Sequence, residues 1–182
     1  MVSKTFALAS ALALVGCAAG PGLGAFEATL AAQDSATAAL GQWCATQGLA
    51  NPAVIRALPV FGESIAPPDD LATLLRLAPG ETPGYRHVRL TCGDKVLSEA
   101  RNWYVPSRLT PDMNATLATT DTPFGKTVAA LGFRRERIAS QRGRLPGCPE
   151  GTILSHRALL RLPDGRPLSA LVECYTAANL GN

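Results

Sequence analysis

Histidine is nearly absent from this chain, with only His87 and His156, and its cysteines include no Cys-x-x-Cys pair. A zinc site of ordinary ligand spacing is therefore not expected. Aromatic side chains are scarce, at five Phe, three Tyr and two Trp in 182 residues, which argues against a base-stacking surface. Seventeen Lys+Arg against 14 Asp+Glu leave a formal charge of +3, too small to gather nucleic acid through the whole-molecule field. No Gly-rich phosphate loop follows any strand-like run and no internal repeat is visible, so neither a dinucleotide-binding fold nor a solenoid is expected. No cofactor, metal or nucleic-acid partner is anticipated. With 47% apolar and 17% charged residues, the chain can bury one core and reads as one domain rather than two.

The first apolar run, Phe6 to Val15 behind Lys4, is too short to span a bilayer and reads as the core of a signal peptide over residues 1–16. It ends in Leu14-Val15-Gly16-Cys17, which resembles the lipobox of bacterial lipoproteins. Cys17 is then the acylated first residue of the mature chain, residues 17–25 are a lipid-anchored tether, and residues 26–182 form the domain. The alternative is an ordinary secretory cut a few residues later, for instance after Ala19, with Cys17 discarded. Either way the chain is exported, and the lipobox reading puts it on the periplasmic face of the bacterial envelope, anchored to the membrane. Four cysteines remain, Cys44, Cys92, Cys148 and Cys174, an even number that suggests two disulfides in an oxidising compartment.

The spacing of Phe26, Leu30, Leu40, Trp43 and Cys44 predicts one amphipathic helix from Glu27 to Thr46, stopped by Gly48. Ala53 to Phe61 reads equally as a short helix or a strand, and Leu71 to Leu77 as a helical turn or two. Arg86–Cys92 and Val96–Val105 form a hairpin across Gly93-Asp94. Thr110-Pro111 and Thr122-Pro123 each place a capping residue before a proline, predicting two helix starts. Phe133 to Ser140 returns to strand, and 152–162 with 167–176 make a second hairpin. Hairpins with a helix pair between them predict an α+β fold: a single antiparallel sheet with inserted helices, carried on one side.

Glu173 lies in the otherwise apolar Ala170–Tyr175 run. It either faces solvent or is buried against a cation or a hydrogen-bonding ligand. Arg86 and Arg101, on the two strands of the first hairpin, offer the planar fork that suits a carboxylate, although each alone also fits a solvated strand residue. Arg134, Arg135, Arg137, Arg142 and Arg144 alternate between faces and read chiefly as a charged edge strand, with contact to anionic lipid heads as the functional alternative. His87 and His156 read as ordinary strand histidines.

These elements resemble the chorismate pyruvate-lyase family from about Tyr85 to the C-terminus. The resemblance rests on Arg86 and Arg101 flanking Leu90 and Cys92, the Val105-Pro106 strand end, Thr122-Pro123-Phe124-Gly125, and the Arg161-Leu162 to Arg166-Pro167-Leu168 hairpin leading to Glu173. It implies a mainly antiparallel sheet with inserted helices and a site that releases pyruvate from chorismate, leaving 4-hydroxybenzoate, without metal or cofactor. Arg86 would hold the substrate carboxylate with help from the backbone N–H of Phe124, Arg101 would belong to the substrate-binding set, and Glu173 would meet the ring oxygen opposite. Arg86 and Glu173 are thus the implied catalytic pair. The run from Pro167 to Glu173 is one residue longer than the family pattern, so a bulge has to absorb the slip if Glu173 is to face Arg86. If both face the pocket, Cys92 points inward and Cys174 outward. Two pairings remain, Cys44–Cys92 with Cys148–Cys174, which is favoured, or Cys44–Cys174 with Cys92–Cys148. The expected function is binding of a small cyclic or aromatic carboxylate such as chorismate, with lyase activity left open. The alternatives are a non-catalytic envelope lipoprotein that captures an aromatic acid, and a structural scaffold.

Overall fold

The computed structural model describes residues 22–62 and 65–181. The signal peptide, Cys17 and most of the tether lie outside the described residues. Helix α1 (Leu23–Ala31) begins inside the span expected to be tether. The single helix expected over Glu27–Thr46 is two, because α1 ends and α2 (Ala36–Thr46) restarts at Ser35, whose Oγ accepts from the Ala38 N–H at 3.3 Å. The short polar side chains of Asp34 and Ser35 favour a cap over a continued helix, a local signal that outweighs the apolar spacing.

Strand β1 (Ile55–Pro59) settles the ambiguous segment as extended, and helix α3 (Leu71–Leu75) follows. The first hairpin is β2 (Gly84–Cys92) with β3 (Lys95–Tyr104). Helix α4 (Pro111–Thr119) is capped by Thr110, whose Oγ1 accepts from the Met113 N–H at 3.2 Å. The second proline start yields only one turn, α5 (Phe124–Thr127), followed by a 3₁₀ turn at Ala129–Leu131 that ends on left-handed Gly132. Strand β4 (Arg134–Arg142) and the hairpin of β5 (Thr152–Arg161) with β6 (Pro167–Thr176) complete the sheet.

The six strands run β1-β2-β3-β6-β5-β4, every neighbour antiparallel, so the fold is α+β with one antiparallel sheet and inserted helices. The two hairpins meet along β3 and β6. On one face, Phe26, Leu30, Leu40 and Trp43 of the first two helices pack on Leu90, Ala100, Leu154 and Tyr175. Further along, Leu117, Phe124, Val128 and Phe133 pack on Leu160 and Leu168. The helices are not confined to that side. Leu71 and Leu75 of α3 pack against Trp103, Leu159 and Ala170, whose side chains alternate to the reverse face. The Pro79–Gly84 loop and the short α3 carry too little periodicity for the sequence to have shown which face they cover.

Cys44 of α2 is bonded to Cys92 at the end of β2, and Cys148 in the β4–β5 loop to Cys174 of β6, with Cα–Cα distances of 6.5 and 5.5 Å. This is the favoured pairing, one bridge on each face of the sheet.

Candidate functional site

Strand register decides which polar side chains can meet, because directly opposed residues share a face. Arg86 lies opposite Asn102, Asn102 opposite Leu171, and Ala100 opposite Glu173. Arg86 and Glu173 therefore face the same side. The extra residue before Glu173 is absorbed by a register step at Leu160/Arg161, where Leu160 pairs with Ser169 and Arg161 with Pro167. On the edge strand, Arg135 pairs with Leu160 and points to the same side.

These side chains line one cavity between the sheet, the start of α2 and α5, together with Phe124. Its apolar walls include Val88, Leu90, Phe133, Leu160 and Leu171. The space open to the centre of a water molecule is about 40 Å³. One water needs roughly 10–15 Å³ on that measure, so the cavity takes a few waters or one six-membered ring.

Arg86 is a half-buried cation whose hydrogen bonds among the described residues are long ones, 3.4 and 3.5 Å, to the Thr122 carbonyl. No carboxylate within the described residues is bonded to it. Burial lowers its pKa from the ordinary arginine value, with the Tyr104 phenol opposing. Its cross-strand partner Asn102 accepts from the Ser169 hydroxyl through Oδ1, while its buried Nδ2 has no hydrogen-bond partner. An unpaired buried donor is costly, and the Asn102 amide beside a cation held by long bonds alone among the described residues forms a wall that suits an anionic acceptor.

The other end of the cavity is closed by a network. Arg135 and Glu173 form an ion pair with both side chains 5% exposed, and the Tyr175 hydroxyl donates to the same Glu173 oxygen at 3.2 Å. Burial opposes the charge on Arg135, but Glu173 and Tyr175 outweigh it and raise its pKa. Burial also pushes the Tyr175 phenol up, and Glu173 adds to that rise. Arg135 further donates to His156 Nδ1 at 3.2 Å. An arginine N–H can only donate, so the imidazole accepts at Nδ1 and carries its hydrogen on Nε2. Burial lowers the His156 pKa to about 4, so the ring is neutral at pH 7.

The sequence expectations fare unequally in this geometry. Arg86, Phe124 and Glu173 come together. Arg101 does not: it lies opposite His87 on the reverse face, where it bonds the Gly147 carbonyl and, at 3.3 Å, Glu99. A plain two-residue turn would set Arg101 directly opposite Arg86 and on its face. The bulge at Leu90/Thr91, where Thr91 pairs with Val96 but Leu90 with Ser98, shifts the register by one residue and turns Arg101 to the reverse face. Glu99 there also takes His87 at 2.9 Å and Arg89 at 3.2 Å. Burial would push the Glu99 pKa up, and these bonds overcome it and hold the carboxyl low. Arg135 was expected on a solvated edge strand and is instead the buried partner of Glu173. Asn102 and Tyr175 carried no signal of their own in the sequence. Alternation around Arg135, combined with the apolar neighbours of Glu173, was the only available hint. Among the described residues no group of three or more His, Cys, Asp or Glu is placed to hold a metal.

No protein-family model matches the chain. It is 41% identical over 169 residues to the uncharacterized protein y4mC of Sinorhizobium fredii, covering 82% of this chain and 71% of that one. Among solved structures, PhnF from Mycobacterium smegmatis is similar at a TM-score of 0.56 and 12% identity, over 81% of this chain and 66% of that one. The effector domain of PhnF is similar at a TM-score of 0.55 and 13% identity, over 80% of this chain and 90% of the domain. At such identities the likeness is one of fold.

Proposed function

Because the chain belongs to the family of Sinorhizobium fredii y4mC and has the chorismate lyase-like α+β fold, we propose that it binds a small single-ring carboxylate in its cavity without cleaving it. The ligand's carboxylate sits on the Arg86 guanidinium and the Asn102 amide, and its ring packs among Val88, Leu90, Phe124 and Leu171. The observation that carries this reading is the pair of neighbouring donors, one a half-buried cation, that no acidic side chain answers. An aromatic acid such as 4-hydroxybenzoate has the matching chemistry. PhnF's domain of this fold is described as an effector domain, which suits a role in binding.

Turnover is disfavoured by the state of Glu173. Its carboxylate accepts from both Arg135 and Tyr175, so the group that would meet the ring oxygen in the lyase reading is already engaged. The lyase reading keeps one point in its favour, that Arg86 and Glu173 line the same cavity. Calorimetry with 4-hydroxybenzoate, run beside a pyruvate-release assay with chorismate, separates the two. Binding heat that disappears in Arg86→Ala, with no pyruvate formed, is the expected result. Pyruvate release that depends on Glu173 would replace binding with catalysis, and the absence of heat across a panel of aromatic acids would remove both.

We also propose export and anchoring through an acylated Cys17 at the periplasmic face. Two disulfides support this, since such bonds persist mainly in oxidising compartments. Metabolic labelling with a fatty acid should mark the chain and fail to mark Cys17→Ser; equal labelling of both would refute the anchor.

A further inference from the structure

Asn102 has two unlike ends, an oxygen that accepts and an NH2 group that donates, and the character of the cavity depends on which of them it meets. Ser169 of β6 makes that choice. Its side chain is wholly buried, and its hydroxyl donates to Asn102 Oδ1, the one hydrogen-bond partner of that hydroxyl among the described residues. Were the amide reversed, its NH2 would donate to the hydroxyl oxygen and the hydroxyl proton would be stranded in the interior without an acceptor. Strand register brings the two side chains into reach. In the β3–β6 ladder Asn102 lies opposite Leu171 and Ser169 opposite Tyr104, so they are diagonal neighbours on one face. Ser169 stands four residues before Glu173, and the register step at Leu160/Arg161 that turns Glu173 to the cavity side turns Ser169 with it.

With Oδ1 engaged, Nδ2 is the end left to the cavity, beside a guanidinium that has donors only. Ser169 itself is not among the residues that line the cavity. On the premise of the binding reading above, we propose that Ser169 is the positioning residue that fixes the polarity of this end of the cavity, holding Asn102 donor-inward so that the site takes a carboxylate and rejects the matching carboxamide. The two oxygens of a carboxylate accept from Arg86 and from Nδ2. A carboxamide has one accepting oxygen, and its own NH2 meets a wall made of donors. Without the Ser169 hydroxyl the Asn102 amide is free to turn over, and Oδ1 then accepts from the NH2 of a carboxamide. Ser169 thereby sets selectivity without touching the ligand.

The test is calorimetry on the full chain with 4-hydroxybenzoate and 4-hydroxybenzamide, read as the ratio of the two affinities. A merely structural role for Ser169 weakens both ligands alike and leaves that ratio unmoved. Ser169→Ala removes one oxygen and adds no bulk, and it is expected to lower the acid-to-amide ratio roughly fivefold, the size of one hydrogen bond gained by the amide. Asn102→Ala removes the group through which Ser169 acts, so adding Ser169→Ala to it is expected to change the ratio no further. If 4-hydroxybenzoate binds in an Arg86-dependent manner and Ser169→Ala leaves the ratio unchanged, the role of Ser169 is refuted and the binding reading stands. If Ser169→Ala lowers the ratio as much in the Asn102→Ala background as in the wild type, Ser169 acts by another route and the proposal fails. If neither ligand binds the wild-type chain, the binding reading fails and takes the proposal with it.

Discussion

The Arg135–Glu173 pair offers a sharp energetic test, because both side chains are 5% exposed and each has a neutral hydrogen-bonding neighbour. Glu173→Gln removes the negative charge while leaving an oxygen to accept from Tyr175, and Arg135 keeps its bond to His156. The loss is thus mainly that of a countercharge in a nearly dry site. Two unit charges about 4 Å apart attract by about 4 kcal/mol at an effective dielectric of 20, and removing one member of a buried pair typically costs about 3–5 kcal/mol. Arg135→Met should cost a similar amount, since it strands the Glu173 carboxylate and leaves His156 Nδ1 without a donor. The double variant carries neither stranded charge, so its cost should fall below the sum of the singles by about 2 kcal/mol or more. Urea unfolding at pH 7 under non-reducing conditions measures all four proteins. Single-variant costs within about 1 kcal/mol, as for an exposed pair, would show that the site is wet and the reasoning wrong.

Other expectations follow from the same geometry. Asn102→Asp puts a carboxylate opposite Arg86 across the β2–β3 ladder, and calorimetry should find anion binding abolished with the fold retained by circular dichroism. His156 has a folded pKa of about 4 against an unfolded value near 6.5, so between those values the unfolded chain binds the extra proton. Stability is fully present above that window and is lost as pH falls through it, by at most about 1.4 kcal/mol per pH unit for this one group. Urea titrations at pH 7, 6 and 5 should show the slope, and His156→Gln should flatten it; an unchanged slope would mean other groups cause it. Non-reducing peptide mapping should recover Cys44–Cys92 and Cys148–Cys174. Breaking either bridge by Cys→Ala should cost about 3–4 kcal/mol on the chain-entropy estimate for loops of this length, measured by thermal unfolding.

The sheet was legible because its strands alternate cleanly and its turns announce themselves, as at Gly93-Asp94 and Asp164-Gly165. The resemblance brought Arg86 and Glu173 together, and face parity carried that premise to the cysteine pairing, provided that a bulge took up the additional residue before Glu173, as one does at Leu160/Arg161. The same parity misleads for Arg101, because the Gly93-Asp94 turn by itself sets it opposite Arg86, and only the bulge at Leu90/Thr91, which the strand pattern does not announce, moves it opposite His87 and to the reverse face. Arg135 was hidden for a different reason. A run of arginines on an edge strand looks solvated, and only the tertiary placement of Glu173 shows that one of them is drawn inward. The break at Asp34-Ser35 was masked by alanine, whose helix propensity bridges the gap in apolar spacing. That break matters to the site, because it sets the start of α2 against the cavity.

The most direct measurement compares 4-hydroxybenzoate with 4-hydroxybenzamide, a ligand of nearly the same shape without the charge. If Arg86 and Asn102 form an anion site, the acid binds more tightly by about 1.5–3 kcal/mol, roughly tenfold to more than a hundredfold, and the difference vanishes in Arg86→Ala. Equal affinity of the wild-type protein for acid and amide would contradict the assignment of this cavity to a carboxylate.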